Sequence, residues 1–170
     1  MGMSVTISTA THEDAEQILK LQYLCYQSEA ALYDDYTLSP LTQTLEDLRS
    51  ELDRVVTLVA RLGGEVVGSV RGSVDAEGTA DINKLIVHPR MQRHGLGSRL
   101  LKALEERLAD GRTVTRYRLS TGHRSDGNLR LYRSRGYATV GTEEISRRLT
   151  MVMLEKPVGV PDPQSYVASA

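Results

Sequence analysis

Apolar and polar positions along this chain change their period repeatedly, and each change marks a predicted element. Val5 to Ser8 alternate as a strand does, after which Thr9 or Thr11 can cap a helix whose first turn holds Glu13, Asp14 and Glu16. Ile18, Leu19, Leu21, Gln22, Cys25 and Tyr26 carry helical spacing on toward Leu32. Tyr33 to Pro40 is polar and aromatic and closes on a proline, which predicts a loop. Leu41, Leu45, Leu48 and Leu52 then share one face of a second helix. Three strands follow, Val55 to Leu62, Glu65 to Val74 and Ala80 to Val87, with turns at Gly63-Gly64 and Asp75 to Gly78, so the middle of the chain reads as an antiparallel meander.

A helix from Gly95 to Ala109 separates that meander from a strand at Val114 to Ser120, a spacing that permits a parallel crossover. Asp126 to Arg135 is a short helix stopped by Gly136, and Ala138 to Thr142 with Leu149 to Leu154 form a closing hairpin. The order predicts one α/β (α+β) domain over residues 1–156, built on a mixed central sheet of about six to seven strands with helices on both faces. From Pro157 the chain has three prolines and no apolar periodicity, which predicts a tail over 157–170.

Composition narrows the picture in three ways. At 170 residues the chain is long enough to bury a core without metals or disulfides, and Cys25 is its only cysteine, so neither an internal disulfide nor a Cys-based zinc site can form. That composition fits the reducing cytoplasm. The longest apolar runs fall far short of the roughly 20 residues that span a bilayer. Met1-Gly2 with Thr6 matches the loose myristoylation pattern, but Val5 and Ile7 read as a strand that must pack.

A net charge of −1 argues against nonspecific nucleic-acid binding, yet residues 1–60 hold ten acids against three bases, and the remainder eighteen bases against twelve acids. Arg112, Arg116, Arg118, Arg124, Arg130, Arg133 and Arg135 form a basic run with few aromatics, which reads as solvated faces and not as a nucleic-acid module. His12, His88, His94 and His123 complete no metal-ligand spacing, so no metal is expected.

The segment from Lys84 to Leu104 carries the most chemistry. A short apolar run ends at Pro89; Gln92, Arg93, His94, Gly95, Leu96, Gly97 and Ser98 follow, and an amphipathic helix begins at once. Strand, glycine-bearing turn and helix N-terminus bring free backbone N–H groups and the positive end of a helix dipole together, which suits a pyrophosphate. Gly95 and Gly97 allow close approach to a ligand. The segment is no P-loop, and Leu100 stands where Gly-x-Gly-x-x-Gly needs its third glycine.

Leu85-Ile86-Val87-His88-Pro89 followed by Gln92-Arg93-His94-Gly95-Leu96-Gly97 resembles motif A of the GNAT acyltransferases, an apolar strand and then Gln/Arg-x-x-Gly-x-Gly/Ala. About thirty residues later, Asn128-Leu129-Arg130-Leu131-Tyr132 with Gly136-Tyr137 is similar to that family's second signature. The resemblance spans roughly residues 4 to 156 and implies a GNAT-like domain that takes acetyl-CoA as acyl donor. It implies that the backbones of Leu85, Ile86 and Val87 bond the pantetheine arm, that the amides of Arg93 through Ser98 hold the pyrophosphate with Gln92 opening the turn, and that Tyr132 protonates the departing thiolate.

Many relatives have Asn where this chain has Ser125, while Asn128 occupies a position that is often Ala, so either side chain can bond the CoA arm. Counting back from motif A places Asp81 at the position of the carboxylate base in some relatives, with His123, Ser120 or a relayed water as alternatives. The first two helices and their connection wall the acceptor pocket in the family. Here they hold Glu29, Asp34 and Asp35 beside Tyr26, Tyr33 and Tyr36, acids and aromatic faces that suit a cationic amine. The expectation is transfer of an acetyl group to a primary amine of a small molecule or peptide by direct attack. A noncatalytic acyl-CoA-binding or regulatory module is the alternative. A homodimer through the last strands is a further implication of the resemblance.

Overall fold

The computed structural model describes residues 4–158. A seven-stranded sheet runs through it in the order β1-β2-β3-β4-β5-β7-β6. Strands β1 (Val5–Thr9), β2 (Val56–Leu62), β3 (Glu65–Val74) and β4 (Thr79–Val87) form the expected antiparallel meander. Helix α4 (Leu96–Ala109) crosses over, so β5 (Arg116–Gly122) lies parallel to β4; α5 (Asp126–Ser134) follows, and the hairpin β6 (Ala138–Glu144) and β7 (Thr150–Pro157) closes the sheet. Regular structure runs past the expected boundary at residue 156, since β7 keeps Pro157 and the Val158 amide bonds the Thr115 carbonyl at 3.0 Å. Residues 159–170, and the myristoylation pattern at Met1-Gly2, lie outside the described residues.

Alternation along the strands separates two cores. Leu58, Ala60 and Val70 face α4, whose Leu100, Leu101, Leu104 and Leu108 are fully buried. Gly68 and Gly72 on β3 let α4 settle, because a Cβ there would stand 2.8 and 2.9 Å from Leu100 and Leu108 methyl carbons. On the opposite face Val59, Val66 and Ile86 meet Ala15, Ile18 and Leu21 of α1 (Ala15–Tyr33) and Leu48 of α3 (Leu45–Leu52). Among the described residues no helix is long and apolar enough to cross a membrane.

Two boundaries differ from the sequence reading. The predicted Leu41 to Leu52 helix is broken into a single turn, α2 (Ser39–Thr42), and α3, because Thr44 caps α3 by accepting from the Asp47 amide at 3.1 Å. Tyr33, read as loop, is the last residue of α1 and only 2% exposed.

Three polar contacts lock the helices to the sheet. Arg71 on β3, 1% exposed, donates to Gln22 of α1 at 2.6 Å and to Glu51 of α3 at 2.9 Å. On the other face Glu105 of α4 accepts from Lys156 and from the Tyr137 hydroxyl, each at 2.7 Å, while the Lys156 ammonium lies 5.2 Å from the Tyr137 ring centroid. Asp14 takes both forks of Arg61 at 2.7 and 2.6 Å and accepts the Thr11 amide at 2.8 Å. The Arg61 hydrogen bonds hold the Asp14 carboxyl below its ordinary value, against the opposing effect of burial. A depressed folded-state value means that the stabilisation is present above the ordinary pKa of about 3.9 and is lost as pH falls through the folded value. Asp14→Asn should therefore lower Tm at pH 7 and flatten the fall of Tm below pH 4, measured by thermal melts across that range.

Candidate active site

Two departures from regular pairing shape the site. β3 and β4 are in register at Ser69 with Ile86 and again at Arg71 with Asn83, so Lys84 and Leu85 together face Val70. Lys84 takes a left-handed φ of 51° in this bulge. On its other side β4 pairs with β5 only through Thr79–Arg116, Ala80–Tyr117 and Asp81–Arg118. Beyond that rung β5 continues to pair with β7 as far as Gly122, and the wedge between β4 and β5 opens into a cleft of about 1260 Å³. Leu85, Ile86 and Val87 line one wall, and Ser120, Thr121 and Gly122 the other.

The mouth of the wedge is the turn after β4. His88 Nδ1 accepts the Arg90 amide at 3.1 Å and starts a single 3₁₀ turn; the Gln92 side-chain Nε2 donates to the Val87 carbonyl at 3.1 Å. Arg93 and Gly95 both have left-handed φ, 68° and 75°. The first bond of α4 is from the Arg99 amide to the Gly95 carbonyl, so the N–H groups of Leu96, Gly97 and Ser98 precede the helix ladder and face outward at the positive end of its dipole. The two glycines serve different ends. A Cβ on Gly95 would meet nothing within 4 Å, so its backbone angle is what demands glycine, whereas a Cβ on Gly97 would come within 3.2 Å of Leu131 on α5.

Tyr132 of α5 lines the same cleft, 6% exposed, its ring packed against Tyr137 at 6.1 Å between centroids. Among the described residues its hydroxyl makes no hydrogen bond. Burial first, and then the Glu29 carboxylate, push this phenol well above its ordinary pKa, so it is protonated throughout the neutral range. Cys25 also lines the cleft, but burial raises its thiol to about 11 and the sulfur lies 3.4 Å from the Val87 carbonyl, which leaves it unreactive.

The α1 wall is tied to the loop after β5. The Tyr33 hydroxyl accepts the Arg124 amide at 2.9 Å and lies 2.8 Å from Ser125 Oγ, which in turn donates to Glu29 Oε2 at 2.8 Å. This is possible because residue 122 is glycine: a Cβ there would overlap the Tyr33 hydroxyl.

Of the residues singled out from sequence, Tyr26, Glu29, Tyr33, Leu85, Ile86, Val87, Gln92, Arg93, Gly95, Leu96, Gly97, Ser98, Ser125, Asn128 and Tyr132 all line this one cleft. His94 and Asp81 are not among its lining residues. Asp81 sits on the last paired rung with β5, below the point where the wedge opens, and its carboxyl is raised by burial with Arg118 opposing. The structure therefore does not bring the expected base to the wedge. His123 is also held away, its Nδ1 accepting the Thr150 amide at 3.0 Å. The expected acidic segment contracts as well: Asp34 binds Arg148 at 2.8 Å and Asp35 binds Thr37 at 2.6 Å, so Glu29 alone of the three faces the cleft. Lys84 lines the cleft with its ammonium 3.6 Å from Glu51, a contact that sequence reasoning missed because the bulge that turns it has no local signature.

Against known proteins, residues 15–137 match the model of the acetyltransferase (GNAT) family. An acetyltransferase of Pectobacterium atrosepticum is 32% identical over 92 residues, covering 54% of this chain and 64% of the relative's own length. Among solved structures, the PaiA N-acetyltransferase of Thermoplasma acidophilum in complex with coenzyme A superposes with a TM-score of 0.76 at 18% identity, covering 91% of this chain and 99% of that one. The ribosomal-protein-S18-alanine N-acetyltransferase of Escherichia coli gives 0.74 at 18% identity, covering 94% and 97%. With the family model covering well over half of its length, the chain belongs to the GNAT acetyltransferase family.

Proposed function

We propose that this protein is an acetyl-CoA-dependent N-acetyltransferase that acts on a primary amine of a small molecule or peptide by direct attack on the thioester. The observation that carries the reading is the meeting, in one cleft, of an open strand wedge, an unladdered helix N-terminus and a protonated, unpartnered tyrosine. An extended pantetheine arm fits an unpaired strand edge, and a pyrophosphate fits the amides of Leu96, Gly97 and Ser98. The coenzyme A bound in the Thermoplasma neighbour supports the same donor. Arg93 and Arg130, both lining the cleft, supply mobile positive charge for the donor's phosphates. Ser125 is committed to Tyr33 and Glu29, which leaves Asn128, bonded to Thr121 at 3.2 Å through its nitrogen, with a free oxygen for the CoA arm.

The donor supplies an activated acyl group, and the chain's own residues do the rest. The helix N-terminus fixes one end of the donor, the strand edge aligns its arm, and Tyr132 offers a hydrogen bond where negative charge develops on sulfur. The test is thiol release from acetyl-CoA across a panel of primary amines, corrected for hydrolysis without amine. Amine-dependent release is expected; tight CoA binding with no release for any amine would point to a noncatalytic acyl-CoA-binding module. Gly95→Ala provides a second check on the donor site. Forcing a side chain into φ near 75° costs about 1–2 kcal/mol, so KM for acetyl-CoA should rise by up to roughly five- to thirtyfold with a smaller change in kcat.

A further inference from the structure

Glu29 is a half-buried carboxylate that lacks a cation. Among the described residues no Lys, Arg or His lies within ion-pair distance of it, and only one of its oxygens is engaged, by Ser125. Of the cations around the cleft, Lys84 is paired with Glu51 at 3.6 Å, Arg71 with Glu51 at 2.9 Å, and Arg124 donates to the Leu32 carbonyl at 3.2 Å; Arg93 and Arg130 also line the cleft and form no ion pair with Glu29. The other titratable groups around it are Tyr26 and Tyr33 on its own helix, Cys25 one turn back, and Tyr132 on α5. Asp126, the other acid of the cleft, is exposed in the first turn of α5, where the helix N-terminus already favours negative charge. A half-buried carboxylate with one free oxygen and no cation leaves an ion-pair position open to a ligand.

The hydrogen bonds fix how Glu29 is held. The Arg124 amide can only donate, so the Tyr33 oxygen accepts from it and the Tyr33 hydrogen points to Ser125; the Ser125 hydrogen then points to Glu29 Oε2. Every donor in this chain is directed toward Glu29 Oε2, and Oε1 is left free. The same cleft also carries an apolar lining, from Leu32, Leu38, Leu149 and Met151.

We infer that Glu29 receives the acceptor's ammonium on its free oxygen and takes a proton from it, with Tyr33 and Ser125 as positioning residues, and that the acceptor is a primary amine carrying one positive charge on an apolar skeleton. This rests on the acetyltransferase reading above. Glu29 removes one proton from the ammonium and returns it to solvent. The freed nitrogen pair forms the C–N bond, and the C–S electron pair goes to sulfur, hydrogen-bonded by Tyr132. The second nitrogen proton leaves as the intermediate collapses and ends on the departing thiol, so the sum is amide, thiol and one proton released.

The experiment compares benzylamine and hexylamine with spermidine and glutamate, in the wild type and in Glu29→Gln and Ser125→Ala variants, with CoA affinity measured separately by calorimetry. Benzylamine or hexylamine should exceed spermidine and glutamate at least tenfold in kcat/KM. For the better of the two, Glu29→Gln should lower kcat/KM about 10²-fold at pH 7.5 while CoA affinity stays within twofold, and the deficit should shrink as pH rises and the amine deprotonates unaided. Ser125→Ala should cost about tenfold and move the ascending limb of the pH profile, which a purely structural loss would leave in place. Wild-type kcat/KM and an unmoved pH limb in Glu29→Gln overturn the inference alone, as does spermidine or glutamate as the best acceptor. No turnover of any amine by wild-type protein that binds CoA overturns the acetyltransferase reading with it.

Discussion

Replacing Tyr132 by phenylalanine is expected to lower kcat about 10²-fold and to leave the KM for acetyl-CoA within twofold. The substitution keeps the ring that packs on Tyr137 and removes only the hydroxyl, which has no protein partner to lose among the described residues. Stability should thus be nearly unchanged, and the effect should fall on the step in which charge reaches sulfur. The raised pKa refines the role. A phenol well above its usual value is a weaker acid than an alkyl thiol, whose ordinary pKa is about 8.5, so complete proton transfer to sulfur is uphill. In the proposed reaction Tyr132 would act by a hydrogen bond that strengthens as the C–S bond breaks, an interaction made in the transition state far more than in the ground state. Pre-steady-state measurement of thiol release, with chemistry limiting, checks this; a Phe variant with unchanged kcat would remove the residue from the mechanism.

The second large effect concerns stability. Glu105 is 6% exposed and joins α4 to the closing hairpin through Lys156 and Tyr137. Glu105→Ala leaves an ammonium facing two tyrosine rings with no counter-charge and a buried hydroxyl with no acceptor. Removing one partner of a buried pair costs about 3–5 kcal/mol, and Lys156, with its side chain 20% exposed, places the expected value near the lower end, about 3 kcal/mol. For a chain of this length that is a Tm loss of roughly 6–12 °C, measured by calorimetry. Glu105→Gln separates the two losses, because it keeps an acceptor for Tyr137 and removes only the charge. Burial, followed by the Glu105 charge, pushes Tyr137 far above the ordinary phenol value, so its hydroxyl is a donor throughout the neutral range.

Element order and the glycine-bearing turn after β4 were legible in the sequence because they depend on local signals. Alternation marked the meander, and the apolar strand, Gly95 and the amphipathic pattern marked the turn and the start of α4. Gly136, at φ 95°, ends α5 as a left-handed stop should. The α2–α3 break was also written locally, in Thr44 three residues before Asp47, but the leucine spacing across it concealed the cap. What the sequence withheld depends on pairings across long distances. Glu29 and Ser125 are 96 residues apart, and Tyr33 and Ser125 are 92 apart. Nothing local to Arg71 marks its burial, because Gln22 and Glu51, which receive it, come from two different helices. Asp81 was placed by counting along the strand, a method that cannot see where the partner strand stops pairing.

The contact between Tyr33 and Gly122 means that these two positions hold one side chain's volume between them. A methyl group at 122 meets the tyrosine's ring as well as its oxygen, so removing the hydroxyl alone does not make room. Any sequence drift at one position must be matched by shrinkage at the other, so the α1 wall of the cleft and the loop after β5 are bound to change together. Anyone reshaping this pocket for a bulkier amine has to treat residues 33 and 122 as a single choice.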